Sequence, residues 1–454
     1  MARACCRFSA AVRWTAALAI LAWAASSPAP AAWAGDPAAP ASQANQAAQA
    51  PQAPQERRLD QFLFRERPFV FQTLWRTGLI ATGGGDLGEI LTVASRIKDG
   101  DTGSWHAAWN GMARLLRARA DGYREAGLPV SAMQAYFRAT NAFRAAGVFE
   151  YGNELGKAAW QEGRDTFLQA AALSGGRIRP VRIPYEGTTL PGYLVTPEGG
   201  EGKRPLFLLQ TGLDGTAEDL YLLLGTQIVK RGYVCLIFEG PGQGEMIAKQ
   251  GLPLRNDWEK VVTPVVDYAV ALPEVDPDRM AIFGPSMSVP RALAFEKRIR
   301  WGIANGGVWS IRDGSLKLLT GEMRALLDDP SQAAAFDALV TREMGQRLAL
   351  RHAMNQRLWI FKAATPAELF RTLVPYTLEG LAERIEAEML VVNSNADDIN
   401  DSQPQARRLL DALTSRKTFL EFDDSQGAQS HCQVGAPLVS AEGMLNWLDA
   451  RAKP

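Results

Sequence analysis

The chain has 454 residues, 47% hydrophobic and 22% charged, with 49 basic and 49 acidic side chains and a formal net charge of zero. This is a globular composition, with length for one large domain or two smaller ones. The charge balance leaves no electrostatic footprint for nucleic acid, and the histidines His106, His352 and His431 stand too far apart in sequence to suggest a metal-ligand cluster.

The first segment reads as a targeting signal. Arg3, Arg7 and Arg13 form a basic start, "WTAALAILAWAA" (Trp14 to Ala25) is a short apolar core, and Ala32-Trp33-Ala34 offers an A-x-A cleavage pattern before Gly35. That is the layout of a secretory signal peptide and is short for a bilayer span; the other reading is an uncleaved anchor. Removing residues 1–34 takes away three arginines and no acid, leaving a net charge of −3. The expected mature protein is periplasmic or secreted, with no stable membrane anchor. Cys5 and Cys6 leave with the signal, so Cys235 and Cys432 remain, as one disulfide or two thiols; Cys235 lies in an apolar strand pattern and reads as a buried thiol. Residues 35–58, rich in Ala, Pro and Gln, read as a disordered linker.

Residues 59–175 carry a helical period. "SWHAAWNGMARLLRARADGYREAG" is expected to place Trp105, Trp109, Met112, Leu115 and Leu116 on one face, and "VSAMQAYFRATNAFRAAG" and "NELGKAAWQEGRDTFLQAAAL" repeat the pattern. Gly127, Gly147 and Gly175 stand at or just past helix ends. The expectation is an N-terminal all-helical domain. Trp105, Trp109, Phe137 and, further on, Trp309 are candidates for core packing or for an aromatic pocket lining.

The period then changes. "RIRPVRIPYEGTTLPGYLVTP" (Arg177 to Pro197) alternates like an antiparallel hairpin. "RPLFLLQTG" is a buried strand, "TAEDLYLLLGTQIVKRG" a helix, "YVCLIFEGPGQGE" a strand with a Gly-rich loop, and "DWEKVVTPVVDYAVAL" a helix. "RMAIFG" and "WGIANGGV" are further strands. A helical stretch over about 310–386 interrupts the alternation, which resumes with "AEMLVVNSNADD", "SQPQARRLLDAL", "KTFLEFDD" and "SAEGMLNWLDARA". Residues 176–454 thus predict an α/β domain, a mostly parallel sheet with helices on both faces and a helical lid insertion. The "GPGQG" run (Gly240 to Gly244) lacks the full G-x-G-x-x-G, and no helix is expected to open from it, which excludes a dinucleotide site.

A hydroxyl is a poor nucleophile until a base takes its proton and donors stabilise the oxyanion. Ser286 follows the strand "MAIFG" inside Gly284-Pro285-Ser286-Met287-Ser288, a nucleophile-elbow pattern with Ser288 in place of the last glycine. The other reading of Ser286 is a helix N-cap. In "LVVNSNADDIN" the acid is Asp397 or Asp398, with Asp397 at the usual distance beyond the strand. His431, in "DDSQGAQSHCQVGAP", is the base by elimination, since His106 falls in the helical domain and His352 in the insertion. The oxyanion hole would use the backbone N–H of Met287 and one from "QTGLDG", assigned to Leu213.

Together "IPYEGTTLPGYLVTP", "TGLDGTAEDLY", "RGYVCLIFEGPGQGE", "VDPDRMAIFGPSMS" and "GAQSHCQVG" resemble the α/β hydrolases related to 2,6-dihydroxypseudooxynicotine hydrolase, a group that includes fungal polyketide-shortening hydrolases and FrsA-like esterases. The resemblance covers roughly residues 100–450. It implies the α/β-hydrolase fold, Ser286 as nucleophile, Asp397 as orienting acid and His431 as base. It implies a helical domain packed over the catalytic face, and a role for Asp214 beside the substrate or the catalytic centre. Ser288, and Glu239 where an aspartate is common, depart from the pattern. Relatives often pair, so a homodimer is the assembly to test. The expected function is a secreted serine esterase acting on a small molecule through an acyl-enzyme, without cofactor or metal. Amide cleavage, C–C hydrolysis or lyase chemistry on aryl ketones, and a non-catalytic binding protein on this scaffold are the alternatives.

Overall fold

The computed structural model describes residues 63–453, except 200, 201, 286, 287, 398, 400, 401 and the side chain of Ser288. The expected signal peptide and linker therefore lie outside the described residues, as do Ser286, Met287 and Asp398.

The helical period of the first third folds as α1 (Arg67–Gly78), α2 (Leu87–Ala94), α3 (Thr102–Glu125), α4 (Pro129–Gly147) and α5 (Glu154–Ala172). Side-chain caps set the starts: Asp101 accepts from the N–H of Gly103 and Ser104 ahead of α3, and Asn153 accepts from Gly156 ahead of α5. α4 starts on a proline, where no intrahelical N–H is needed. It packs between α3 and α5, and its buried face is dominated by alanines, which lets the neighbours approach closely. Trp105 is fully buried there and donates its Nε1–H to the Ala145 carbonyl at 2.8 Å. Trp109, Met112 and Leu116 complete that stripe, but Leu115 is 54% exposed. One residue back along a helix turns a side chain about 100° away, so Leu115 and Leu116 do not share a face.

The strands are β1 (Ile178–Tyr185), β2 (Thr188–Val195), β3 (Arg204–Gln210), β4 (Val234–Phe238), β5 (Val275–Pro285), β6 (Trp301–Asn305), β7 (Glu388–Ser394) and β8 (Lys417–Phe422), in the order β1-β2-β4-β3-β5-β6-β7-β8. β1 and β2 form an antiparallel hairpin, and β2 pairs antiparallel with β4. From β4 to β8 every pairing is parallel. Every residue of β4, β6 and β7 is buried, as parallel strands covered on both faces require.

The helix predicted from Thr216 onward is divided into α6 (Ala217–Leu220) and α7 (Thr226–Lys230) by a π-helical turn over Tyr221–Gly225. The Gly-rich run leads, against expectation, into a short helix, α8 (Gly244–Ala248), followed by α9 (Glu259–Val270). α10 (Ser288–Leu293) follows β5. Between β6 and β7 lie α11 (Ile311–Leu316), α12 (Gly321–Asp328), α13 (Ala333–Gln346), α14 (Leu348–Phe361) and α15 (Pro366–Thr372). α16 (Ser402–Ala412) connects β7 to β8, and α17 (Pro437–Ala452) closes the chain. The helices and the sheet pack as one unit. Apolar side chains form one cluster that includes Trp309, a second with Phe137, and a third among the N-terminal helices around Trp105 and Trp109.

β3 lies between β4 and β5, so the chain leaves its carboxyl end toward one side and β5 continues on the other. This is the switch point at which open α/β sheets form their ligand crevice.

Candidate active site

Asp397 stands three residues beyond the end of β7, and His431 opens a short 3-10 turn (His431–Gln433) after β8. His431 Nδ1 lies 2.5 Å from Asp397 Oδ2, and the carboxylate side chain is 1% exposed. A carboxylate only accepts, so Nδ1 carries a proton, and in the neutral ring Nε2 keeps its lone pair. The second oxygen of Asp397 accepts from the Ile399 N–H at 3.0 Å.

The turn that aims His431 is strained. Cys432 and Gln433 hold φ values of +53° and +54°, a left-handed conformation costing about 1–3 kcal/mol each. Buried hydrogen bonds fix it. The Gln433 amide exchanges two bonds with Asn305, at 2.9 and 3.1 Å, and donates to Ser394 Oγ at 2.9 Å. Asn305 and Ser394 are the last residues of β6 and β7, so the turn is bolted to the carboxyl edge of the sheet. Burial pulls the His431 imidazolium down, but the charge of Asp397 outweighs it and raises the ring well above its ordinary value. Burial likewise pushes Asp397 up, and His431 with the hydrogen bonds to the carboxylate brings it below its ordinary value.

The loop after β3 is built with equal care. Gln243, from the Gly-rich run, donates Nε2–H to the carbonyls of Thr211 and Gly212 at 2.8 and 2.9 Å, and its Oε1 accepts from the Gly240 N–H at 2.9 Å. A Cβ on Gly215 would stand 1.6 Å from Thr211 Oγ1, so the turn through Leu213 and Asp214 closes only on glycine. Glu239, fully buried, accepts from the N–H groups of Ala217 and Glu245 at 2.9 and 2.8 Å. The "GPGQG" run is thus a clamp on the β3 loop.

These parts meet in a cavity of about 360 Å³. Leu213, Asp214, Pro285 and His431 line its floor, and side chains from α1 and α14, with Arg144 of α4, line its walls. Ser286 directly follows Pro285 in the chain. Asp214 accepts from Tyr151 Oη at 2.8 Å and from Arg144 Nη2 at 3.1 Å. Arg144 also donates to Asp219 at 2.7 Å, and Arg76, 1% exposed, donates to the same carboxylate at 3.2 Å.

The esterase FrsA-like family model matches residues 97–297. The hydrolase LUC6 of a Fusarium species is 30% identical over 412 residues, spanning 85% of this chain and 97% of that one. The α/β hydrolase pydG of an Acremonium species is 35% identical, spanning 84% and 96%. The chain belongs to this family of α/β hydrolases. Among solved structures, 2,6-dihydroxy-pseudo-oxynicotine hydrolase shares its fold, with a TM-score of 0.65 at 19% identity over 82% of this chain and 94% of that one.

In this hydrolase the structure brings His431, Leu213 and Asp214 to one cavity, with Asp397 hydrogen-bonded to His431, while Ser286, Met287 and Asp398 lie outside the described residues. Trp105, Trp109, Phe137 and Trp309 are buried in the packing clusters and do not line the cavity; its aromatic lining comes from Phe71 and Trp75 of α1 and Phe283 of β5. Cys235 and Cys432 are free, buried thiols, and Cys432 sits beside His431. Sequence reasoning missed α1 as a cavity wall, the Gln243 clamp, and the polar face of α14 with His352, Gln356 and Arg357. Their only signal was spacing, with Gln356 one helical turn beyond His352 and Arg357 next to it.

Proposed function

We propose that this α/β hydrolase cleaves esters through Ser286, His431 and Asp397. The observation that carries the reading is the His431–Asp397 hydrogen bond of 2.5 Å in the cavity that Pro285 also lines. His431 Nε2 takes the Ser286 proton as Oγ attacks the ester carbonyl carbon. The backbone N–H groups of Met287 and Leu213 stabilise the tetrahedral oxyanion, each contributing about 10²–10³ in rate. Collapse expels the alcohol, which leaves with the proton from His431. Water, deprotonated by the same imidazole, then releases the acid and restores Ser286. Asp397 holds the tautomer and stabilises the imidazolium without taking its proton. The basic and apolar leader ending at Ala34 supports export to the periplasm or beyond.

The test is stopped-flow hydrolysis of p-nitrophenyl butyrate. The reading expects a p-nitrophenol burst near one per chain when deacylation is slow, absent in Ser286→Ala. Full turnover by folded Ser286→Ala protein would overturn it.

A further inference from the structure

Three buried or part-buried arginines line the cavity, Arg76, Arg144 and Arg357, against two acids, Asp214 and Asp219. Arg357 of α14 is 4% exposed and lines the cavity. Its Nε–H donates to Ser315 Oγ at 3.1 Å, and Nη1 donates to the Ala353 carbonyl and Gln356 Oε1 at 3.2 and 3.3 Å. All three acceptors are neutral. Among the described residues no carboxylate lies within 4.0 Å of the guanidinium, and neither Nη2 hydrogen has a protein acceptor.

The other buried arginines of this wall are different. Arg76 and Arg144 divide Asp214 and Asp219 between them, and Tyr151 completes Asp214. Across the cavity Asp397 is committed to His431. Burial brings His352 down to about 4, so it adds no charge, and burial pulls even Arg357 down to about 10 against the attraction of Asp214. A desolvated, uncompensated guanidinium is costly unless an anion reaches it. Two unused N–H groups on one nitrogen, on a side chain that lines the cavity, are where that anion would bind. The neighbouring surface is apolar, with Phe71, Leu223, Leu318 and Ala349 on the same cavity.

We propose that Arg357 is the subsite for an anionic oxygen of the substrate, a carboxylate or an acidic enolate, carried on an apolar body away from the bond that is cleaved. The substrate class is then an amphipathic carbonyl compound, apolar along its length and anionic at one end. The inference rests on this cavity being the substrate site of the proposed hydrolysis.

The test pairs anionic and neutral probes of matched shape in the same protein, so that losses from altered folding cancel. In the catalytic arm, mono-p-nitrophenyl adipate is compared with p-nitrophenyl hexanoate. The expected kcat/KM ratio is at least about tenfold in favour of the half-ester. It falls to about one in Arg357→Gln and recovers in part in Arg357→Lys. In the binding arm, calorimetry on Ser286→Ala compares 4-phenylbutyrate with its amide and dimedone, ionised at neutral pH, with its neutral methyl enol ether. Tighter binding of the carboxylate alone identifies that source, and of dimedone alone the enolate; either must be lost in Ser286→Ala/Arg357→Gln. Absence of any anion preference, or a preference that survives Arg357→Gln, overturns the inference. Hydrolysis without anion preference leaves the esterase reading standing and sinks this one. Arg357-dependent anion binding without hydrolysis of either ester does the reverse.

Discussion

At the carboxyl edge of the sheet, Asp397 and His431 follow β7 and β8 and are held by short hydrogen bonds. Gln433 ties to Asn305 and Ser394, Gln243 ties down the β3 loop, and Asp397 serves one imidazole. The facing helical wall works differently. There long charged side chains from α1 and α4 are matched in ion pairs across elements far apart in sequence, and Arg357 of α14 is left over. The floor allows no latitude, because its backbone is strained and its loops close only on glycine. The wall can change its charges by substitution without moving a strand. That division would put the proposed chemistry on the rigid edge and recognition on exchangeable helical faces.

Breaking the floor should cost most. His431→Ala is expected to lower kcat/KM by about 10⁴-fold or more, read by p-nitrophenyl ester hydrolysis. Asp397→Asn should cost about 10³–10⁴-fold, and it carries a second signature. His431 works as a base only when neutral, so activity falls as pH drops through its pKa. The charge of Asp397 raises that pKa, placing the acid limb of kcat/KM above the ordinary imidazole range. With the charge gone, burial remains and the limb should move to lower pH; a limb that stays in place in the variant would show that another group sets it. Gln243→Ala loosens the loop without removing a reacting atom. It should lower kcat by about tenfold with KM changed less, a split that simple unfolding would not produce.

On the helical side the effects are smaller. Tyr151→Phe removes one donor to Asp214 and should lower stability by about 1–2 kcal/mol, seen as a drop in Tm. Leu115→Gln, on the exposed face of α3, should change stability by less than about 0.5 kcal/mol. A large loss there would mean that this face is covered in the native assembly.

The same division explains what could be read in advance. The order strand–Ser286, strand–Asp397, strand–His431 is local, because each residue follows a strand pattern, buried and apolar in β5 and β7 and half-buried in the edge strand β8. Asp397 was separable from Asp398 only by counting from the strand end, and the structure seats Asp397 on His431. Pairing across the cavity has no such local mark. Arg76 meets Asp219 over 143 residues, and in sequence it reads as one more polar position of an amphipathic helix. Gln243 sits in a glycine-rich run whose pattern only excluded a dinucleotide site, while its work is on a turn 31 and 32 residues earlier. Leu115 was misplaced because adjacent leucines in a helix cannot both face a narrow stripe, and only packing decides which one does.

The most direct test of the account is labelling of the protein with a fluorophosphonate probe, followed by peptide mass spectrometry, in wild type, Ser286→Ala and His431→Ala. The account predicts one adduct on the peptide carrying Ser286, absent in Ser286→Ala and formed far more slowly in His431→Ala. An adduct on another residue, or labelling of Ser286 at an unchanged rate without His431, would contradict it.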